Sequence, residues 1–80
     1  MNEIITFAQA IALEVRIARI SHNYMQKEIA LFLGVSQAMY SRKERGTNDF
    51  TFDEVLAICK FLDIEFKRII RFAEQRYNEQ

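Results

Sequence analysis

The residues best suited to specific chemistry lie between Gln26 and Gly46, in the run QKEIALFLGVSQAMYSRKERG. Gln37, Ala38, Ser41, Arg42 and Arg45 recur at spacings that set them on one face of a helix. Their types match the edges of base pairs in a major groove: glutamine forms two hydrogen bonds with adenine, arginine two with guanine, and alanine touches a thymine methyl. The net charge of the whole chain is zero, with eleven basic and eleven acidic residues. The distribution is uneven. From Arg16 to Gly46, the basic residues Arg16, Arg19, Lys27, Arg42, Lys43 and Arg45 face only Glu28 and Glu44, leaving this stretch at +4. A neutral chain with such a distribution can present one basic face. Any small helical bundle also carries a polar outer face, so spacing alone leaves a plain helical hairpin open beside a DNA reader.

Other chemistries are poorly provided for. Cys59 is the single cysteine, which excludes a disulfide framework and a cysteine metal cage. It falls on the inward stripe of a helix, as free cysteines in cores commonly do. His22 has no carboxylate or cysteine at ligand spacing. No glycine-rich loop is present to cradle a phosphate. Neither an enzyme, nor a cofactor, nor a bound metal is expected.

The elements that must position these residues are helices. The sequence has no proline and two glycines, Gly34 and Gly46, so turns are few. Helical periodicity predicts five segments, at about Glu3 to Ile20, Met25 to Leu33, Ser36 to Arg45, Thr51 to Leu62 and Glu65 to Tyr77. In the first, Ile4, Phe7, Ala8, Ile11, Val15 and Ala18 form one apolar face, while Leu13, Ile17 and Ile20 make a second flank suited to a neighbour or a partner. In the second, Ile29, Ala30 and Leu33 face inward, and Gly34 stops the helix. Ser36 is a good N-cap for the third. Thr51-Phe52-Asp53-Glu54 reads as a capping box, with Phe50 and Val55 placed as a hydrophobic staple. Val55, Leu56, Cys59 and Leu62 give the fourth an apolar stripe. In the fifth, Phe66, Ile69, Ile70, Ala73 and Tyr77 share a face.

The 80 residues suffice for one small domain, spanning 1–80. Half are hydrophobic and 28% charged, a globular composition. Apolar runs fall far short of the roughly 20 residues of a membrane span. The N-terminus lacks the basic start and apolar stretch of a secretory signal, so a cytoplasmic protein is expected.

The helix, glycine-containing break and second helix between Gln26 and Gly46 have the helix-turn-helix layout. Ala30 is small enough for the two helices to cross closely, Gly34 tolerates a positive φ, and Val35 and Tyr40 are placed to pack back on the first helix. The chain resembles the lambda-repressor and Cro-like domains of the Xre family from Val15 to Ile70. The resemblance is carried by Gln26, Glu28-Ile29-Ala30, Leu33-Gly34-Val35-Ser36, Ser41 and Glu44-Arg45-Gly46, and by Leu56, Ile58, Cys59, Leu62 and Ile64 in the next helix. It implies an all-α fold, a compact bundle of five helices containing the helix-turn-helix. It also implies a dimeric transcriptional regulator, a repressor by preference, that reads double-stranded DNA with helix 37–45. By the resemblance, Gln26 bonds a phosphate and braces the recognition helix. Gln37 and Ala38, following Ser36, are the first base readers, and Ser41 and Arg42 the later ones. Lys43 and Arg45 contact the backbone, and Lys27 adds to the same DNA-binding surface. Arg19 and Glu44 match a structural pair that ties the first helix to the end of the recognition helix.

The sequence departs from the family pattern at several positions. Met25 replaces the polar cap of the second helix, leaving Asn23 to Gln26 to supply a substitute. Tyr40 stands where the family buries a branched aliphatic, so it either tucks in with its hydroxyl bonded or tilts the recognition helix. Phe50 replaces a common proline and Asp63 a common glycine. A homodimer is expected through the fifth helix, with Phe72, Ala73 and Tyr77 as its interface. The alternative reading is a protein-interaction module of the same fold, an antitoxin or adaptor binding a partner protein in place of DNA.

Overall fold

The computed structural model describes residues 4–80 and contains five helices: α1 Phe7–Ser21, α2 Gln26–Leu33, α3 Gln37–Glu44, α4 Phe52–Leu62 and α5 Phe66–Asn78. No strand occurs among the described residues. Five helices were expected; the start of the first was not correctly placed. Glu3, the expected first residue, lies outside the described residues. Ile4 precedes the helix and is exposed, so it does not belong to the apolar face assigned to it. The helix begins after Thr6, whose hydroxyl accepts from the Gln9 amide at 3.0 Å while the Gln9 side chain accepts from the Thr6 amide at 2.9 Å. This reciprocal pair is a capping box.

The core gathers Val15 of α1, Ile29 and Ala30 of α2, Tyr40 of α3, Val55, Ile58, Cys59 and Leu62 of α4, and Ile69 of α5. α5 lies along α1, and α2 packs on both α3 and α4. Glu14, midway along α1, and Arg76 of α5 join the two helices with a 2.8 Å ion pair. Tyr24, Phe32 and Phe61 form a chain of ring contacts that joins the loop before α2 to α4.

The turns follow from local chemistry. Gly34 adopts φ 74° at the end of α2, a left-handed conformation that glycine enters without Cβ strain. Asp63 takes the same role at the end of α4 with φ 56°. Aspartate is among the few side-chain-bearing residues that tolerate it, which explains how this chain does without glycine there. Gly46 also has positive φ, and a Cβ there would stand 2.9 Å from Gln9 Cγ. The loop leaving α3 therefore sits directly on the start of α1.

Candidate nucleic-acid interface

The recognition-helix candidate α3 is held by a buried polar cluster. Arg19 donates from Nε and Nη2 to the two carboxylate oxygens of Glu44 at 2.8 and 2.9 Å, a two-pronged pairing between α1 and the last residue of α3. Arg19 Nη1 donates to the Tyr24 carbonyl at 2.6 Å. Gln26 Nε2 donates to Glu44 Oε1 at 3.0 Å, so the first residue of α2 is tied to the same carboxylate. Burial alone would push the Glu44 carboxyl up, but the hydrogen bonds from Arg19 and Gln26 outweigh it and hold the carboxyl below its ordinary value. Through its hydrogen bonds with Glu44, Arg19 is held more firmly protonated still. The expected Arg19–Glu44 tie is therefore present, and Gln26 braces α3 through it.

Tyr40 is completely buried beside this pair. It tucks into the core with its ring at 5.8 Å from that of Phe50. Of the two expected arrangements, the tucked-in ring is present, but its hydroxyl finds no partner with hydrogen-bond geometry. Burial, first of all, pushes this phenol well above its ordinary range.

The caps set where the candidate contacts fall. Ser36 Oγ accepts from the Met39 amide at 3.1 Å and starts α3 as expected. α2 solves its missing cap differently from the expected use of Asn23 to Gln26. Glu28 reaches back to accept from the Met25 amide at 2.8 Å. That leaves Gln26 free for its bond to Glu44. It also engages the only other acid of the basic stretch in a cap.

The outward surface follows. Lys27, Ser36, Gln37, Ala38, Arg42 and Arg45 are exposed, while Gln26 and Ser41 are half-buried. Among the described residues, Lys27, Arg42 and Arg45 form no ion pair with any carboxylate. Lys43, expected as a phosphate-binding cation, is engaged within the fold. Its ammonium lies 3.0 Å from Glu54 Oε1 and 3.2 Å from the Asp49 carbonyl, and its side chain is only 13% exposed. The position points it back along the loop into the start of α4. Two exposed side chains suited to base edges, the Gln37 amide and the Arg42 guanidinium, thus lie about one and a half turns apart on α3. Two free flanking cations, Lys27 and Arg45, complete this surface.

The expected dimer residues are not grouped as one surface. Ala73 is fully buried where α5 meets α1, which removes it as an interface residue. Tyr77 is half-exposed and sets its ring edge-on against Phe7 at 5.8 Å. Phe72 lines a shallow cleft with Ile17, Ile64 and Ile69 and lies under the Arg68 guanidinium. Ala73 is four residues from the core residue Ile69 and shares its face, as the sequence spacing had it, so that face is buried as far as Ala73.

A different apolar feature escaped the sequence reading. Phe7, Ile11, Phe52, Val55, Phe66 and Ile70 line a cleft of about 410 Å³ between α1, α4 and α5. No sequence spacing announces it, because its walls come from three separate helices.

Among the described residues, no group of three or more His, Cys, Asp or Glu side chains is placed to hold a metal. Cys59 is buried, and burial pushes its thiol up. Among the described residues, no helix is long and apolar enough to cross a membrane.

Comparison with known proteins agrees with this geometry. Neither the curated proteins nor the solved structures gave a match. The helix-turn-helix family profile matches residues 15–69, a span that runs from the middle of α1 to the core residue Ile69 and includes every brace of α3 described above. The chain therefore belongs to the helix-turn-helix family of the Xre, lambda-repressor-like type, whose members are DNA-binding domains.

Proposed function

We propose that the protein is a sequence-specific transcriptional regulator, acting in the cytoplasm as a homodimeric repressor, and that α3 reads the major groove. One observation carries the reading. Both acids within the basic stretch are engaged by the fold, Glu44 buried against Arg19 and Glu28 capping α2, whereas Gln37, Arg42, Lys27 and Arg45 are exposed and unpaired with any carboxylate among the described residues. Gln37, Ala38, Ser41 and Arg42 supply base contacts, and Gln26, Lys27 and Arg45 supply phosphate contacts. Lys43 supports α3 from behind. Two copies related by a two-fold axis present two α3 helices about 34 Å apart, one turn of duplex DNA.

The test is selection of preferred sequences from a random duplex pool, followed by titration of the selected and a scrambled site at several salt concentrations. A selected site with two-fold symmetry, bound about a thousandfold more tightly than the scrambled one, is the expected result. Failure to bind either duplex, even at low salt, would overturn the reading. The fold would then be an interaction module for another protein.

A further inference from the structure

We propose that Gln9 is a positioning residue for DNA binding: its side-chain stem backs the turn at Gly46 and so fixes where Arg45 meets the DNA backbone. The inference rests on the DNA-binding reading above. It adds a residue that lies before the span matched by the family profile, residues 15–69.

Arg45 is exposed and stands between two neighbours held in different ways. On one side, the Glu44 carboxylate is tied to Arg19 and Gln26. On the other, Gly46 has no side chain by which to be tied. Its amide donates to the Lys43 carbonyl at 3.1 Å, and the Thr47 amide donates to the Arg42 carbonyl at 2.9 Å. These bonds run from the turn to α3 itself. They shape the turn without holding it against the rest of the fold. Gln9 supplies that hold. The three atoms nearest to where a Gly46 Cβ would stand are Gln9 Cγ, Cβ and Cα, at 2.9, 3.5 and 3.8 Å.

The stem that backs the turn is itself fixed at both ends. The Gln9 side-chain oxygen accepts from the Thr6 amide at 2.9 Å, and the Gln9 amide donates to Thr6 Oγ1 at 3.0 Å. An unbound glutamine has much rotamer freedom to lose on packing. Here the cap has already removed it, so contact with Gly46 costs little further order. Gln9 and Arg19 lie about 15 Å apart along α1. The last turn of α3 and the turn that leaves it are thus held against α1 at two separated points, with Arg45 between them. Gln9 carries no charge, so it acts on Arg45 through shape alone.

Titration of the selected and scrambled duplexes at several salt concentrations tests the proposal. The variants are Gln9→Ala, Gln9→Met, Arg45→Ala and the double variant Gln9→Ala/Arg45→Ala, each checked by urea unfolding. A role in stability alone would move the urea midpoint and leave the salt slope of binding unchanged. Gln9→Ala removes no charge, yet its slope should fall by about 0.9 for each phosphate that a subunit no longer neutralises, as in Arg45→Ala. The double variant should show the Arg45→Ala slope with no further fall. Gln9→Met keeps the methylenes over Gly46 and should keep the wild-type slope. A wild-type slope in Gln9→Ala, beside a lowered one in Arg45→Ala, would overturn the positioning role and leave the DNA-binding reading intact. So would additive falls in the double variant, a Gln9→Met slope as low as that of Gln9→Ala, or an unchanged slope in Arg45→Ala. Wild-type protein that binds neither duplex would overturn both readings.

Discussion

A single carboxylate oxygen, Glu54 Oε1, accepts both from the Thr51 amide at 2.8 Å and from the Lys43 ammonium at 3.0 Å. The capping box of α4 and the last turn of α3 thus share one acceptor. Thr51 Oγ1 completes the box by accepting from the Glu54 amide at 3.0 Å. The loop between α3 and α4 is therefore gripped at both ends, which fixes how α3 connects to α4.

This relationship changes what Lys43 is expected to do. Lys43→Ala should lower stability by about 1 kcal/mol or less, the range for a partly exposed ion pair. It should leave the salt dependence of DNA binding close to wild type. Arg45→Ala should do the reverse. Its salt slope should fall by about 0.9 for each phosphate that a subunit no longer neutralises, while the urea midpoint stays in place. Paired urea melts and salt titrations check both. An equal fall of salt slope in the two variants would show that Lys43 leaves Glu54 when DNA binds.

Tyr40 carries a buried hydroxyl with no partner, and leaving such a group unsatisfied costs about 1–3 kcal/mol. Tyr40→Phe should therefore be neutral or stabilising by about 1 kcal/mol in urea unfolding, because the ring still fills its site. The far-ultraviolet spectrum should not change. A drop in stability would mean that the hydroxyl bonds Glu44 in solution.

The pH dependence of stability has a definite sign. Glu44 and Glu54 are both held below the ordinary carboxyl value. The unfolded chain then binds more protons than the folded one as pH falls through the ordinary carboxyl range, so stability drops with pH there. Tyr40 works in the opposite limb. Its pKa is raised in the folded state, so its contribution is complete below the ordinary phenol value of about 10 and is lost as pH rises above that value. The urea midpoint should be flat from about pH 6 to 8 and fall on both sides. Glu54→Gln should flatten the acid limb in part. A midpoint that holds steady down to about pH 3 would contradict the assignment of these carboxylates.

Much of this was legible in the sequence, and the limits have physical causes. Capping signals are local, so Ser36 and Thr51 marked the starts of α3 and α4 correctly. Thr6 and Gln9 carried the same signal, but the apolar periodicity from Ile4 onward overshadowed it. Pairings between distant segments were visible only where family resemblance supplied them, as for Arg19 and Glu44. Lys43–Glu54 and Glu14–Arg76 were not, because a surface lysine or arginine has many acids within reach of a flexible chain. The burial of Ala73 follows from α5 lying along α1, a tertiary choice that composition does not dictate.

Base readout and backbone attachment should separate by residue on α3. Gln37 and Arg42 are exposed, unpaired in the fold and carried on a helix anchored by Arg19, Gln26 and Glu44. A rigidly held helix lets a side chain discriminate, because a misplaced donor cannot relax onto the wrong base. Replacing either residue with alanine should cost about 1–3 kcal/mol on the selected site and relax preference at one or two base pairs. Binding to random DNA should change much less for Gln37→Ala, which removes no charge. Lys27→Ala should weaken selected and random DNA alike, since a phosphate contact carries no sequence information. The measurement is a comparison of the three variants on both duplexes at two or more salt concentrations. If Gln37→Ala and Arg42→Ala weaken both duplexes equally, these residues touch the backbone and the readers lie elsewhere on the exposed face of α3. If Lys27→Ala alters sequence preference without changing the salt slope, the start of α2 enters the groove and the docking of α3 must be turned accordingly.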